Sequence, residues 1–134
     1  VYGSPDRIDR MLRVHQYAQA CASAPAQYAA EAALRGDRGV VEEMTDSFER
    51  RRDILVDGLA DAGIECPTPH GAFYAMPRVP NGFVTECLDR GVIVVPGEAF
   101  GEGGRGAARI SYATDTDDLR EAIDVMAEAH AAAR

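Results

Sequence analysis

Apolar side chains recur at the spacing of α-helices through the first part of the chain. Ser4-Pro5-Asp6 is a typical helix start, because serine can cap free N–H groups, proline suits the first helical position and aspartate favours the positive end. The pattern predicts a first helix from there to about Ala22. It predicts a second, alanine-rich helix from Pro25 to Arg35, with Gly36 as a left-handed cap.

A longer helix is predicted next, with Asp37 as its cap. It has an apolar stripe and, opposite, a polar face, and it ends at Gly63. The stripe consists of Val40, Val41, Met44, Phe48, Leu55 and Leu59, and the polar face of Glu42, Glu43, Asp46, Glu49, Arg50 and Asp53. We expect the stripe to pack against a core and the polar face to lie in water.

Beyond Gly63 the pattern changes to short extended runs separated by proline and glycine. Extended segments are predicted at 64–66, 72–76, 92–95 and 107–113, and helices at 83–89 and from Asp115 onwards. The run Val92–Val95 is β-branched throughout, which is typical of a strand buried on both faces. These elements predict an α+β fold in which a small antiparallel or mixed sheet packs against helices, after a long N-terminal helical segment.

The composition is that of a folded protein, with 46% hydrophobic and 27% charged residues in 134. No apolar run approaches the roughly 20 residues that span a bilayer. The first ten positions carry charges rather than the apolar core of a signal peptide. We therefore expect a soluble, cytoplasmic protein with no membrane partner.

All 14 basic residues are arginine, and 22 acidic residues bring the net charge to −8. Such a surface repels phosphate backbones, and the cluster Arg50-Arg51-Arg52 lies between acidic residues, so nucleic-acid binding is not expected. A chain without lysine cannot form a Schiff base through its own side chains. The acidic, lysine-free composition suggests adaptation to a salty cytoplasm, but a GC-rich coding bias would give the same preference for arginine.

No metal site is predicted from the cysteines and histidines. Cys21, Cys66 and Cys87 lie far apart without a Cys-x-x-Cys pair, and the histidines have no ligand spacing with them. We interpret the cysteines as buried thiols.

The segment Gly101-Glu-Gly-Gly-Arg-Gly106 matches the letters of a dinucleotide-binding fingerprint. That motif works by placing pyrophosphate at the N-terminus of a helix, whereas a strand is predicted here. We interpret the segment as a glycine-rich hairpin turn instead.

Arg109 lies in the middle of the predicted strand 107–113. Alternation would turn Ala108, Ile110 and Tyr112 to one side and Arg109, Ser111 and Ala113 to the other. Small neighbours leave room above the guanidinium for a ligand carboxylate, which a planar fork binds well. The alternative is an exposed arginine paired with a nearby acid. Phe73 is a candidate for lining such a pocket, or for packing in the core.

Four short motifs follow one another along the chain. They are His15-Gln16-Tyr17 with Ser23-Ala-Pro25 and Gln27, Pro69-His-Gly-Ala-Phe-Tyr74, Gly91-Val-Ile-Val-Val-Pro-Gly-Glu-Ala-Phe-Gly101 and Ala108-Arg-Ile-Ser-Tyr-Ala113. In this order and spacing they resemble the C-terminal part of a class I/II aminotransferase, of the aspartate-aminotransferase-like, fold type I group that uses pyridoxal phosphate. The resemblance covers nearly the whole chain.

The resemblance implies a domain organisation. Residues 1–36 would belong to the end of the large, cofactor-binding domain. Residues 37–134 would be the small domain, with the helix 37–63 joining the two. The rest of the enzyme would be the partner of this chain, and family members are usually homodimers.

The resemblance also implies a function for the whole enzyme, which would transfer an amino group between an amino acid and a 2-oxo acid. Arg109 would bind the substrate α-carboxylate. The lysine that carries pyridoxal phosphate would lie outside this chain, so the chain contributes no catalytic or cofactor-binding residue and should be inactive alone. Two alternatives stay open: another fold type I enzyme, such as a lyase, decarboxylase or synthase, and a non-catalytic carboxylate-binding or interaction module.

Overall fold

The computed structural model describes residues 2–134, which fall into two compact units, with the boundary along the sequence between Val40 and Val41. The helices are α1 (Pro5–Ala18), α2 (Ala24–Arg35), α3 (Gly39–Asp61), α4 (Phe83–Asp89) and α5 (Thr116–Ala132). The strands are β1 (Tyr74–Ala75), β2 (Val95–Pro96) and β3 (Ala108–Ser111), and 3₁₀ turns cover Gly97–Phe100 and Glu102–Gly104.

The first unit contains α1 and α2, and neither helix buries a residue. α1 ends at Ala18 rather than at Ala22, because Gln19 is already extended. The link to α2 is held by the Gln27 side chain, which donates a hydrogen bond to the carbonyl of Ala22 at 2.8 Å. The prediction of Gly36 as a left-handed cap is wrong, because its φ of −72° and ψ of 176° are extended.

Asp37 caps α3 as predicted. Its carboxylate accepts a hydrogen bond from the backbone N–H of Gly39 at 3.0 Å, and Gly39 is the first residue of the helix.

The apolar stripe of α3 is buried only in its second half. Leu55 and Leu59 lie in the core, and Phe48 packs against it. Val41 and Met44 are more than half exposed, so the expectation that the whole stripe is packed is wrong within these residues.

The sheet of the second unit is antiparallel, with strand order β1-β3-β2. The core beside it is formed by apolar residues of α3, α4, β3 and α5, among them Leu55, Phe83, Ile110, Leu119 and Met126, together with Tyr112, which directly follows β3. α3 and α5 approach closely at Gly58, where an added Cβ would lie 2.7 Å from Cγ2 of Ile123. The predicted α+β fold, with a small sheet packed against helices, is confirmed.

The prediction of a doubly buried strand at Val92–Val95 is wrong. Only Val95 joins a strand, and 82% of the surface of Ile93 is exposed. The reason is a competing hydrogen bond, because the N–H of Val92 donates to the carbonyl of Cys87 at the end of α4 at 2.9 Å. Residues 64–66 also form no strand, although the carbonyl of Glu65 accepts a hydrogen bond from the N–H of Arg78.

Cys87 is buried as predicted and Cys66 is partly buried, but Cys21 is exposed, which corrects the interpretation of all three as buried thiols. Burial raises the pKa of the Cys87 thiol to about 11. Across residues 2–134, no three side chains of His, Cys, Asp or Glu come together as metal ligands. No helix in this part of the chain has the length and apolar character needed to cross a membrane.

Candidate functional site

Arg109 lies at the centre of β3, where the predicted alternation of side chains is confirmed. Ala108, Ile110 and Tyr112 are buried, whereas Arg109 is partly buried and Ser111 is exposed. The backbone of Arg109 pairs with Val95 of β2. A permanently charged guanidinium is therefore held on the open face of a three-stranded sheet.

Two aromatic rings contact this guanidinium. Its Cζ lies 4.4 Å from the ring centroid of Tyr74 and 4.6 Å from that of Phe100. Both distances are within the range of cation–π attraction. Tyr74 reaches this place because β1 pairs with β3 in a register that sets Tyr74 opposite Ser111, on the same face as Arg109.

The side chain of Arg109 has no ion pair and no hydrogen bond with any of residues 2–134. Seven other arginines do pair with acids, namely Arg10, Arg13, Arg35, Arg52, Arg90, Arg105 and Arg120. The alternative of an arginine paired with a nearby acid is therefore absent from this part of the chain. Its five N–H donors have no acceptor among these residues.

Tyr112 fixes the segment that carries Tyr74. Its hydroxyl donates a hydrogen bond to the carbonyl of Ala72 at 3.0 Å, and its backbone N–H donates to the carbonyl of Phe73 at 3.0 Å. Burial raises the pKa of the Tyr112 hydroxyl, which keeps it protonated as a donor. Ala72 has a φ of +59°, an unfavourable conformation for a residue with a Cβ, and these bonds help to hold it there.

Phe73 supports Tyr74 from the side. Its ring lies 4.4 Å from the ring of Tyr74 and 6.0 Å from that of Phe48, and 38% of its surface is exposed. Phe73, unlike Tyr74 and Phe100, makes no cation–π contact with the Arg109 guanidinium within the described residues. Its role in lining a pocket stays a prediction.

The glycine-rich segment positions Phe100. Gly97 and Gly104 pass so close that a Cβ on either would overlap the carbonyl oxygen of the other. The N–H of Gly97 donates to the carbonyl of Ala107 at 2.8 Å, which keeps the turn beside β3. The segment Gly101–Gly106 lies between the antiparallel strands β2 and β3 and precedes β3 rather than an α-helix. It is part of a longer connection with two 3₁₀ turns, and not a tight hairpin turn by itself.

Open grooves lie elsewhere in the second unit. One of about 300 Å³ runs beside Phe48, Arg52, Ala72 and Tyr112, one of about 420 Å³ runs between residues 90–94 and α5, and one of about 290 Å³ runs beside residues 79–85 and 106–107. None of these three grooves is lined by Arg109.

Sequence reasoning found Arg109 but missed Tyr74 and Phe100. Both residues lie in motifs that carry the family resemblance. Tyr74 ends the motif that contains Gly71-Ala-Phe-Tyr74, and Phe100 directly precedes Gly101 in the next motif. The register of strand pairing could have identified Tyr74. If segments 72–76 and 107–113 pair in an antiparallel way with Tyr74 opposite Ser111, the side chains of Tyr74 and Arg109 lie on the same face of the sheet.

Comparison with known proteins decides the family. The family model for aminotransferase class I and II matches residues 1–126. The chain belongs to this family of aminotransferases.

Individual relatives agree with this assignment. The chain is 41% identical to a Methanocaldococcus jannaschii protein named "Probable aspartate aminotransferase", over 92% of this chain and 34% of that protein. It is 39% identical to an aspartate aminotransferase of Pyrococcus abyssi, over 89% of this chain and 33% of that protein.

A solved structure also matches. The aromatic aminotransferase from Pyrococcus horikoshii OT3 superposes with a TM-score of 0.82 at 38% identity, over 90% of this chain and 35% of that one. The fold is therefore the α+β small-domain fold of the aminotransferases. The chain spans about a third of the length of the relatives it matches, corresponding to their C-terminal third.

The family uses pyridoxal phosphate, and the residues of this chain can be tested against that cofactor. A covalent anchor requires a lysine, and none occurs among the 134 residues. The donor set of this chain therefore does not fit the covalent anchor of the cofactor. None of the findings supports a halophilic origin, which stays a hypothesis.

Proposed function

We propose that this chain is the substrate-carboxylate-binding part of a pyridoxal-phosphate-dependent aminotransferase that transfers an amino group between an amino acid and a 2-oxo acid. One observation carries the proposal. In a chain of this family, Arg109 lies mid-strand, without an acidic partner among the described residues and beside two aromatic rings.

Arg109 acts by binding and orientation. Its guanidinium offers paired N–H donors in a plane, which match the two oxygens of the α-carboxylate. Because arginine stays charged at all working pH values, it takes no part in proton transfer. A carboxylate held at two points fixes the direction of the bonds at the substrate Cα, which is where the reaction occurs.

The chemistry at Cα belongs to parts of the enzyme outside this chain. Pyridoxal phosphate supplies an electron sink for that carbon when it is bound. Residues 1–36 would end the large, cofactor-binding domain, and 37–134 would form the small domain, which closes over the substrate and excludes water. We expect the chain alone to be inactive and the full-length enzyme to be a homodimer.

Replacement of Arg109 in the full-length protein tests this role. Arg109→Ala removes two charged hydrogen bonds worth about 1.5–3 kcal/mol each, so kcat/KM for amino acids should fall by about 10²–10⁴-fold. The control is Arg120→Ala, which removes an exposed arginine of α5 that pairs with Asp117 at 3.2 Å. We expect that control to keep kcat/KM within about twofold of wild type, since surface pairs contribute little.

Three results would overturn the proposal. If Arg109→Ala behaves like Arg120→Ala, Arg109 does not bind the substrate carboxylate. If the full-length protein binds carboxylates but transfers no amino group, the alternative of a non-catalytic binding module is correct. Elimination or decarboxylation without transamination would instead favour another fold type I enzyme.

A further inference from the structure

The guanidinium of Arg109 is held by two rings in place of an acid. Tyr74 and Phe100 lie 4.4 Å and 4.6 Å from its Cζ, and none of residues 2–134 gives it a salt bridge. We propose that Tyr74 and Phe100 are positioning residues, which hold Arg109 in its carboxylate-binding orientation while leaving its charge and its N–H donors free. This inference rests on the proposed role of Arg109.

The choice of aromatic partners has a physical reason. An acidic partner would also hold the guanidinium, but it would occupy the N–H donors and compete with the substrate carboxylate. The face of an aromatic ring attracts the guanidinium through the quadrupole of the ring. The ring does not accept strong hydrogen bonds from the N–H groups at the edge of the guanidinium. Two rings therefore fix the arginine and keep its binding edge available.

Holding the side chain in advance also favours binding. A free arginine side chain has about 2 kcal/mol of rotamer entropy, part of which is lost when it is immobilised on a ligand. An arginine that is already fixed by two rings loses less on binding. The gain should be equal for the amino acid and the 2-oxo acid, because both present the same carboxylate.

Packing in the hydrophobic core does not account for the positions of the Tyr74 and Phe100 rings. Tyr74 is 36% exposed and Phe100 is 54% exposed, whereas the core residues beside them are almost fully buried. Each ring is nevertheless held by a specific feature of the backbone. Tyr74 follows the segment that Tyr112 bonds, and Phe100 ends the turn that the close approach of Gly97 and Gly104 makes possible.

The test compares removal of each ring with its retention in the full-length enzyme. Tyr74→Leu and Phe100→Leu remove a ring, and Tyr74→Phe and Phe100→Tyr keep one. We expect each leucine variant to raise KM for both the amino acid and the 2-oxo acid by up to about fivefold, the upper size of a cation–π contact at an exposed site. The ring-retaining variants should restore KM to within about twofold of wild type.

A double-mutant cycle separates positioning from a general structural role. In the Arg109→Ala background, removing either ring should change kcat/KM by less than about twofold, because no guanidinium is left to hold. An equal loss in both backgrounds would overturn the inference, since the rings would then act without Arg109. Should Tyr74→Leu fail to fold, Phe100→Leu carries the same cycle, because Phe100 is the more exposed ring.

A spectroscopic measurement on the wild-type and variant proteins gives an independent readout. The Nε–H and Cδ–H protons of Arg109 should show ring-current shifts in NMR spectra that decrease in each leucine variant and persist in Tyr74→Phe. Unchanged shifts in both leucine variants would overturn the inference. If Arg109→Ala alone leaves kcat/KM unchanged, the proposed function fails; if only the ring removals have no effect, the positioning role alone fails.

Discussion

The proposed binding of a carboxylate by Arg109 depends on the surroundings of this residue as much as on its charge. The arginines that pair with acids in this chain are mostly exposed and bind neighbours three or four residues away on their own helix. Arg109 lies on a strand, where such local partners do not exist, and its neighbours Ala108 and Ile110 are apolar. Its contacts within the described residues are with the rings of Tyr74 and Phe100, which leave its N–H donors without an acceptor there.

His130 is the buried titratable residue of α5. It is 7% exposed, and neither of its ring nitrogens has a hydrogen-bond partner among the described residues. Burial, with a smaller contribution from the positive charge of Arg134, lowers its pKa below the ordinary value of 6.5. The unfolded chain therefore binds a proton more readily than the folded chain does.

This shift predicts a loss of stability on the acid side. The free energy of unfolding should fall as the pH decreases below about 6.5 and continue to fall until the pH reaches the lower pKa of the folded state. Chemical denaturation of wild type and of His130→Leu at pH 7.5 and pH 5.5 measures it. We expect the free energy of unfolding to decrease less between pH 7.5 and pH 5.5 in His130→Leu than in wild type. Equal decreases in the two proteins would show that His130 does not cause the loss of stability.

At the residue scale, the sequence predicted Arg109 from a local motif and from alternation along one strand. It did not predict Tyr74 and Phe100 as its partners, because that contact depends on how β1 and β2 pair with β3. The register in which strands pair is set in the folded sheet, and the sequences of such short strands specify it only weakly.

Among the elements, α4 was predicted with its observed bounds, whereas the run Val92–Val95 was not a strand along its length. α4 is defined locally, by glycines with positive φ at Gly82 and Gly91 on either side. The β-branched run had to compete with the end of α4 for its hydrogen bonds, and the N–H of Val92 bonds there. The β propensity of these residues predicted a strand, but the hydrogen bond to the end of α4 prevents one along most of the run.

The crossing of Gly97 and Gly104 gives a sharp prediction for the loop between β2 and β3. Gly97→Ala or Gly104→Ala should destabilise the protein by about 3 kcal/mol or more, because the new Cβ would overlap a backbone carbonyl that cannot move as a side chain can. The matched control is Gly103→Ala, where an added Cβ meets nothing within 4 Å. Urea denaturation measures all three, and equal midpoints for Gly97→Ala and Gly103→Ala would exclude this packing.

The helices α1 and α2 differ from the rest in having no buried residue. Helices of this length are marginally stable in water without tertiary packing. In the 134-residue chain, amide hydrogen exchange should be fast in α1 and α2 and slow in α5, which buries Leu119, Ile123 and Met126. Equal protection of α1 and α5 would contradict this division.

At the scale of the whole molecule, the chain spans about a third of the length of the aminotransferases it matches, and Arg109 is its candidate binding residue. The fold class and the family were predictable because several motifs occur in the right order. The pocket that the sequence suggested around Arg109 was not predictable in the same way, and none of the three grooves described above is lined by this residue. The net charge of −8 keeps the salt-adaptation hypothesis open, and a stability maximum in low salt would exclude it.

The most direct test of the account measures how strongly the full-length enzyme prefers an amino acid to the corresponding amino-acid amide. The amide lacks the carboxylate but keeps the amino group and the side chain. We predict that wild type prefers the acid in kcat/KM by at least about 10²-fold, and that Arg109→Ala reduces this preference to within a few-fold of unity. A preference that is the same in wild type and Arg109→Ala would show that Arg109 does not bind the carboxylate.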